Sequence, residues 1–180
     1  MKRIVSLWFP KLSTDRLARA STKASSKNEW SAQDWQVRAA ATVVWREGCP
    51  RLAALNAHAR SAGLRPHMRL ADARALVPDL LTAPGEPQAD QRLVETIAGW
   101  CDRYTPWVAV DPLGGALAEE GTEACSAGGF GGDAGLLLDV TGCAHLFGRD
   151  EAGERALLAD LVGRLARHDF TCRAAMADTA

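Results

Sequence analysis

A run of three leucines that ends in Asp-Val-Thr-Gly constrains the fold of this 180-residue chain more than any other feature. The run covers residues 136–142, and an apolar segment followed by a glycine turn predicts a buried central strand. Because side chains alternate between the two faces of a strand, Asp139 should share a face with Leu137 and Thr141. Leu138 should lie on the opposite face, in the core. On its own, this segment is typical of a core strand without chemistry.

The remaining apolar periodicity predicts an α+β fold in which strands and helices follow one another along the chain. Strands are expected at residues 3–9, 40–46, 107–110, 136–141 and 171–177. Helices are expected at residues 13–19, 52–62, 70–77, 87–104 and 150–165. The polar residues 20–32 are predicted to form a mobile connection, and the glycine-rich residues 112–133 a flexible insertion between two strands.

Composition limits the class of protein without naming a function. A hydrophobic content of 47% in 180 residues indicates a globular domain, and the formal net charge of −1 is not that of a stand-alone DNA-binding protein. Weak DNA affinity is therefore expected. Five cysteines without a Cys-x-x-Cys pair, together with the lack of a targeting or membrane-spanning segment, predict a soluble, cytoplasmic protein.

Isolated cysteine and histidine residues give no pattern for a metal or a nucleophile. Cys143 and His145 are two residues apart, but no second ligand pair accompanies them at the spacing of a zinc site. His58, His67 and His168 are equally isolated. We therefore interpret these side chains as packing and turn residues, and we predict neither a metal nor another cofactor.

Three segments resemble motifs of the Y-family (translesion) DNA polymerases. Residues 138–141 match the end of the palm motif Asp-Glu-Ala-Tyr-Leu-Asp-Val-Thr. Residues 56–78 resemble the fingers segment that begins Tyr-Glu-Ala-Arg and continues through Gly-Met-Pro-Leu to a final proline. The predicted first strand corresponds to the family segment Asp-x-Asp-x-Phe-Phe-Ala-x-Val-Glu. The resemblance covers nearly the whole chain, with gaps.

The resemblance implies that the metal-binding carboxylates of these polymerases have been lost here. Ser6 and Trp8 occupy the two aspartate positions of the first strand, and Ala134 and Gly135 occupy the positions of the Asp-Glu pair. Nucleotidyl transfer depends on divalent ions, and Mg²⁺ is held in such sites by carboxylates, phosphate and water. Two motifs that have lost carboxylates together indicate a polymerase-derived protein without catalytic or metal-binding residues.

One nucleotide-binding residue of the family is retained in the fingers segment. Arg60 falls on the arginine that contacts the incoming triphosphate, whereas Ala57 replaces the tyrosine of that pair. His67 and Arg69 replace the usual glycine and proline. Arg60 is thus either a vestigial phosphate contact or a solvated surface residue, and single arginines are most often the latter.

The resemblance also implies a domain organisation. A ferredoxin-like palm, with a mostly antiparallel sheet and two helices on one face, should comprise residues 1–10 and 79–180 and should carry the insertion at 112–133. A small fingers subdomain should comprise residues 11–78. The thumb and the little finger of the family would be absent.

Residues 103–111 followed by 136–148 indicate a catalytically degenerate subgroup that acts in bacterial DNA-damage-induced (SOS) mutagenesis. The resemblance implies an adaptor in translesion synthesis. Its partners would be an error-prone replicative-type DNA polymerase, the sliding clamp and a RecA-like accessory protein, with weak or indirect DNA contacts. Two alternatives remain: an active Y-family DNA polymerase, and a ferredoxin-like ligand-binding or dimerisation domain without a DNA role. Trp30 and Trp35 could contact partners, because aromatic residues are frequent binding anchors, or could form a local core.

Overall fold

The computed structural model describes residues 2–20, 31–111 and 134–178, and these residues form seven strands and six α-helices. The strands are β1 (Ile4–Phe9), β2 (Ala40–Arg46), β3 (Cys49–Leu55), β4 (Leu81–Pro84), β5 (Val108–Asp111), β6 (Ala134–Asp139) and β7 (Arg173–Ala177). The helices are α1 (Leu12–Ala20), α2 (Ala32–Val37), α3 (Ala57–Ser61), α4 (Leu70–Leu76), α5 (Pro87–Trp100) and α6 (Asp150–Arg167). No helix among the described residues is long and apolar enough to span a membrane. The predicted glycine-rich insertion lies outside these residues.

The described residues divide into two compact units. The first unit comprises residues 2–10, 91–111 and 134–178, and the second comprises residues 11–20 and 31–90. The boundary falls after Asp90, in the first turns of α5, because its carboxylate accepts hydrogen bonds from two side chains of α1: Ser13 Oγ at 2.6 Å and Arg16 Nε at 2.6 Å. The functional division after residue 78 that the sequence suggests stays a prediction.

A four-stranded sheet forms the first unit. Its strand order is β5-β6-β1-β7, and each of its pairings is antiparallel. Alternation along β1 buries Val5, Leu7 and Phe9 completely, and Leu138 and Leu136 of β6 lie directly opposite the first two of these residues. Together these side chains define the core face of the sheet. The predicted burial of Leu138 is confirmed.

Two helices contribute the rest of this core. Leu157, Leu161 and Leu165 recur every four residues on α6 and are buried, as one apolar face of a helix requires. On α5, Val94 and Ile97 are buried in the same helical pattern. Phe170, which follows α6, meets Phe9 of the core face edge to face, with ring centroids 6.3 Å apart. The predicted α+β order of strand, helix, two strands, helix and strand is therefore observed in this unit.

The second unit contains a three-stranded sheet of order β3-β2-β4. Strands β2 and β3 form an antiparallel hairpin whose turn residues, Glu47 and Gly48, have φ values of 51° and 74°. Strand β4 runs parallel to β2. The predicted bounds of β2 are confirmed, and β4 was not predicted. Leu52, Leu55 and other buried side chains of the hairpin form the core with residues that follow it.

The prediction of one helix at residues 52–62 is wrong in its first part. Residues 52–55 belong to β3, and the helix begins only at Ala57. Asn56 separates the two elements: its backbone is extended, and its Oδ1 accepts a hydrogen bond from the amide of Ala59 at 2.9 Å. Its Nδ2 donates to the carbonyls of Trp35 and Arg38 at 3.0 and 2.7 Å. This capping and the pairing with β2 override the helical propensity of Leu-Ala-Ala-Leu.

Helix α2 lies within a segment for which no helix was predicted. It begins with a capping box, in which Ser31 Oγ accepts from the amide of Asp34 and the Asp34 side chain accepts from the amide of Ser31. Trp35 on this helix is only 2% exposed and packs with Leu17, Leu81 and neighbouring alanines. The suggestion that Trp35 is a surface anchor is therefore wrong, and the local-core alternative holds for it. Trp30 lies outside the described residues.

Candidate functional site

The candidate site is the face of the four-stranded sheet opposite the core face. Because directly paired residues of an antiparallel sheet share a face, the pairing of Trp8 with Gly135 places both on this side. Ser6, two residues before Trp8, shares this side and is exposed. Ala134 instead pairs with Phe9 and is buried on the core face. The structure thus brings together three of the four positions at which the family motifs have carboxylates.

One row of side chains crosses all four strands at this level. Asp111 of β5 pairs with Gly135, Gly135 pairs with Trp8, and Trp8 pairs with Arg173 of β7. The row therefore runs from a carboxylate past a glycine and an indole to a guanidinium. No local sequence pattern points to a site role for Asp111 or Arg173, because strand register, which sequence periodicity does not report, brings them here.

The members of this row fit one another closely. The guanidinium carbon of Arg173 lies 5.4 Å from the centre of the Trp8 ring, a distance at which a cation is attracted to an aromatic face. A Cβ atom added at Gly135 would lie 3.0 Å from both Cβ and Oδ2 of Asp111. The Asp111 side chain thus lies directly beside the space that a side chain at residue 135 would fill.

The described carboxylates on this face do not form a metal-binding set. Among the described strand residues, the face carries Asp111 and Asp139, and Asp139 is four residues further along β6 than the partner of Asp111. Four residues of strand span about 13 Å, so the two carboxylates cannot share an ion. Asp139 Oδ1 also accepts a hydrogen bond from the amide of Thr141 at 3.0 Å, and hydrogen bonds from Thr141 lower the pKa of Asp139. The described residues of this face do not fit a Mg²⁺ site.

Arg60 lies in the second unit, on helix α3. Its side chain is exposed, and its Nε donates to the carbonyl oxygen of Leu55 at a long 3.4 Å. Arg65 and Arg69, further along the fingers segment, are also exposed. This placement suits a solvated residue and equally a phosphate contact, so the vestigial nucleotide role of Arg60 stays a prediction.

The cysteine and histidine residues that the structure describes do not assemble into a second site. Cys143 is half-buried with its Sγ 3.9 Å from the carbonyl oxygen of Thr141, and His145 is exposed on a short 3-10 helix. Burial raises the pKa of the Cys101 thiol to about 12, so this thiol stays protonated at neutral pH. Across the part of the chain that the structure describes, no three His, Cys, Asp or Glu side chains are grouped to hold a metal.

Comparison with known proteins decides the family. The model of the IMS family, described as impB/mucB/samB, matches residues 31–180. The chain belongs to this family. Protein ImuB from two strains of Caulobacter vibrioides is 46% identical to this family member over 118 residues, which are 66% of this chain and 20% of ImuB. The chain therefore spans about a fifth of the length of these curated relatives.

Solved structures show that this impB/mucB/samB family member has the Y-family polymerase fold. A post-insertion binary complex of Dbh DNA polymerase matches 99% of this chain and 42% of its own, with a TM-score of 0.68 and 13% identity. DinB from Sulfolobus solfataricus matches 98% of this chain and 42% of its own, with a TM-score of 0.63 and 14% identity. The predicted palm and fingers fold and the resemblance to Y-family polymerases are confirmed.

Proposed function

We propose that this Y-family polymerase homologue is non-catalytic and acts as an adaptor in bacterial DNA-damage-induced translesion synthesis. The observation that carries the proposal is the pairing of Trp8 with Gly135 at adjacent positions where active relatives have acidic residues. An indole and a hydrogen atom supply no ligand to a divalent ion. Ser6 supplies only a neutral hydroxyl on the same face.

The charges around this pair also disfavour a divalent ion. Asp111 lies on one side of Gly135, whereas the guanidinium of Arg173 lies over Trp8 on the other side. A fixed positive charge opposes the binding of a cation, and one carboxylate is a weak site for Mg²⁺, which gives up its bound water reluctantly. Metal-assisted transfer needs ions that clamp the attacking and leaving oxygens, and this row of side chains does not supply that clamp.

The adaptor part of the proposal is supported by the similarity to ImuB and the Y-family fold. Its partners would be an error-prone replicative-type DNA polymerase that performs synthesis, the sliding clamp and a RecA-like accessory protein, and it would act in the cytoplasm during the SOS response. A formal net charge of −1 supports weak or indirect DNA contact for these 180 residues. The alternative of a ferredoxin-like domain without a DNA role is disfavoured by the family membership.

Primer extension tests the non-catalytic proposal. The purified chain, supplied with a primed template, all four nucleotides and Mg²⁺ or Mn²⁺, should extend no primer, while an active Y-family polymerase in the same buffer does. The second candidate, an active polymerase, is favoured by one observation, the position of Asp111 beside Gly135. Template-dependent incorporation that Asp111→Ala abolishes and Asp139→Ala leaves intact would refute the non-catalytic proposal and establish that candidate.

A nucleotide-binding measurement tests Arg60 separately. If Arg60 is a retained phosphate contact, Arg60→Ala should weaken the binding of a deoxynucleoside triphosphate by about tenfold, as the loss of one charge-assisted hydrogen bond predicts. Arg65→Ala is the matched control, because it removes the same charge from another exposed position of the segment. Equal effects of the two variants would show that Arg60 is an ordinary surface residue.

A further inference from the structure

A pocket in the first unit lies on its helical side. The end of α5 with the 3-10 helix Cys101–Arg103 forms one wall, and the last turns of α6 form the other. The cavity is about 190 Å³ in volume and open to solvent. Its lining consists of a tryptophan, a histidine and three arginines, namely Trp100, His168, Arg103, Arg164 and Arg167.

Two of the arginines are held in fixed positions by contacts that do not use their terminal amino groups. The guanidinium carbon of Arg103 lies 4.2 Å from the centre of the Trp100 ring, and its Nε donates to the Trp100 carbonyl at 3.1 Å. Arg164 Nε donates to both carboxylate oxygens of Asp160, at 3.0 and 2.8 Å. Asp160 is itself anchored by the hydroxyl of Tyr104, which donates to it at 2.7 Å. The guanidinium groups of Arg103 and Arg164 are thus held at the pocket in a way that leaves little side-chain conformational entropy to be lost on binding.

The charge of the pocket indicates an anionic ligand. Three of the five lining residues are arginines and none is acidic, while Asp160 offsets only one of these charges. Cations in the last turn of a helix also interact favourably with its dipole, and this accounts for Arg164 and Arg167 on α6. Arg103 holds the corresponding place at the end of the 3-10 helix that continues α5, so the ends of two helical segments bring their arginines to one cavity. The convergence of two elements favours a binding site.

The shape of the pocket favours a carboxylate-bearing peptide over a nucleic-acid strand. Single-stranded nucleic acids bind along extended basic grooves with aromatic faces open for base stacking. Here the guanidinium of Arg103 covers one face of Trp100, and the Tyr104 ring lies 5.9 Å away in a tilted arrangement. Guanidinium forks match single carboxylates as well as phosphates.

We propose that this pocket, lined by Trp100, Arg103, Arg164, Arg167 and His168, binds an acidic segment of a partner protein through its Asp or Glu side chains. The inference rests on the adaptor function proposed above, since an adaptor needs a surface that recognises another protein. It places that surface on the helical side of the sheet, away from the face that carries Trp8 and Gly135.

A binding titration tests the pocket with a defined probe. A fluorescein-labelled peptide rich in glutamate is titrated with the 180-residue chain at about 0.15 M salt, where exposed charges are screened beyond about 8 Å. The double variant Arg103→Glu/Arg167→Glu should weaken binding by tenfold or more, as expected from about one lost charge-assisted contact per arginine. The matched control is Arg149→Glu/Arg155→Glu, which makes the same change of charge at the N-cap and in the second turn of α6, at exposed positions that do not line the pocket.

Each outcome decides the proposal. A loss of peptide affinity in the pocket variant alone, with unchanged circular dichroism, supports the proposal. Equal weakening by both double variants would show attraction to general surface charge and would overturn it, as would the absence of binding by the unaltered chain. An oligothymidylate of equal charge that binds more tightly than the peptide, and is lost in the pocket variant, would assign the pocket to nucleic acid instead. Primer extension does not involve these arginines, so its result separates failure of the pocket from failure of the non-catalytic proposal.

Discussion

Replacing Leu138 by alanine tests the alternation of faces on which the assignment of the candidate site depends. Leu138 has no exposed surface, and it lies on the core face of β6 opposite Val5 of β1 and Val108 of β5. The change removes three carbon atoms, each worth about 0.8 kcal/mol of burial. Both neighbouring strands are held by backbone ladders and cannot collapse freely into the gap, so a cavity contribution is added. We expect the free energy of unfolding to fall by about 3 to 4 kcal/mol.

The matched control is Leu137→Ala, on the same strand and with the same chemical change. Leu137 is half-buried on the opposite face and pairs with exposed Ser6, so its loss should cost only about 1 kcal/mol. Reversible urea unfolding followed by circular dichroism gives the two differences. Because the chain has two compact units that need not unfold together, amide hydrogen exchange in β1 and β6 serves as the reading specific to the first unit.

The prediction is tested by comparing the loss in free energy of unfolding of the two variants. A loss near zero for Leu138→Ala would show that this side of β6 is not the core. Equal losses for the two variants would mean that the faces are not distinct, and the placement of Trp8 and Gly135 on a common solvent side would then be wrong.

Two further predictions concern polar contacts within the units. Asp90→Ala, at a site only 3% exposed, should lower the free energy of unfolding by about 3 to 5 kcal/mol, because it leaves Ser13 and Arg16 without their buried acceptor. Glu86 is the exposed partner of the same arginine, so Glu86→Ala should cost less than about 1 kcal/mol in the same urea unfolding experiment. Similar losses for the two variants would contradict this prediction. Tyr104→Phe should lower stability by about 1 to 2 kcal/mol at pH 7 through the lost bond to Asp160. That bond lowers the pKa of Asp160 in the folded state. The stabilisation it gives is therefore present above the unfolded pKa of about 4 and is lost as the pH falls through the folded pKa. A difference in melting temperature between wild type and variant that stays constant from pH 7 to pH 2 would refute this.

The sequence predicted best where a local pattern and the tertiary structure agree. The β-branched residues Thr42 to Val44 predict β2 with its observed bounds, and Pro87 marks the observed start of α5. Residues 52–55 were assigned to a helix because leucine and alanine favour helices, yet these residues pair with β2 across a turn at Gly48. The decisive information was the pairing partner, which lies outside any local window.

The candidate site likewise contains residues that the sequence predicts and residues that only strand pairing brings in. Motif resemblance identified Ser6, Trp8 and Gly135 as positions without carboxylates, and the structure places them on one face. Resemblance could not show that Ala134 faces the core, nor that Arg173 of β7 reaches the Trp8 ring, since both facts follow from strand register. A polar residue that joins a site from a distant strand leaves no mark in the local sequence pattern.

The alternation of side chains would allow such a fold to persist if its catalytic chemistry is lost, as we propose. Val5, Leu7 and Phe9 stabilise the core from one side of β1, while Ser6 and Trp8 lie on the other side, so the two sets of residues can change independently. The reverse change is more constrained. A glutamate introduced at residue 135 would bring its Cβ to 3.0 Å from both Cβ and Oδ2 of Asp111, so Asp111 would have to move by a few tenths of an ångström to admit it. Under the non-catalytic proposal, the close approach of Asp111 to Gly135 would therefore oppose the return of an acidic side chain at this position.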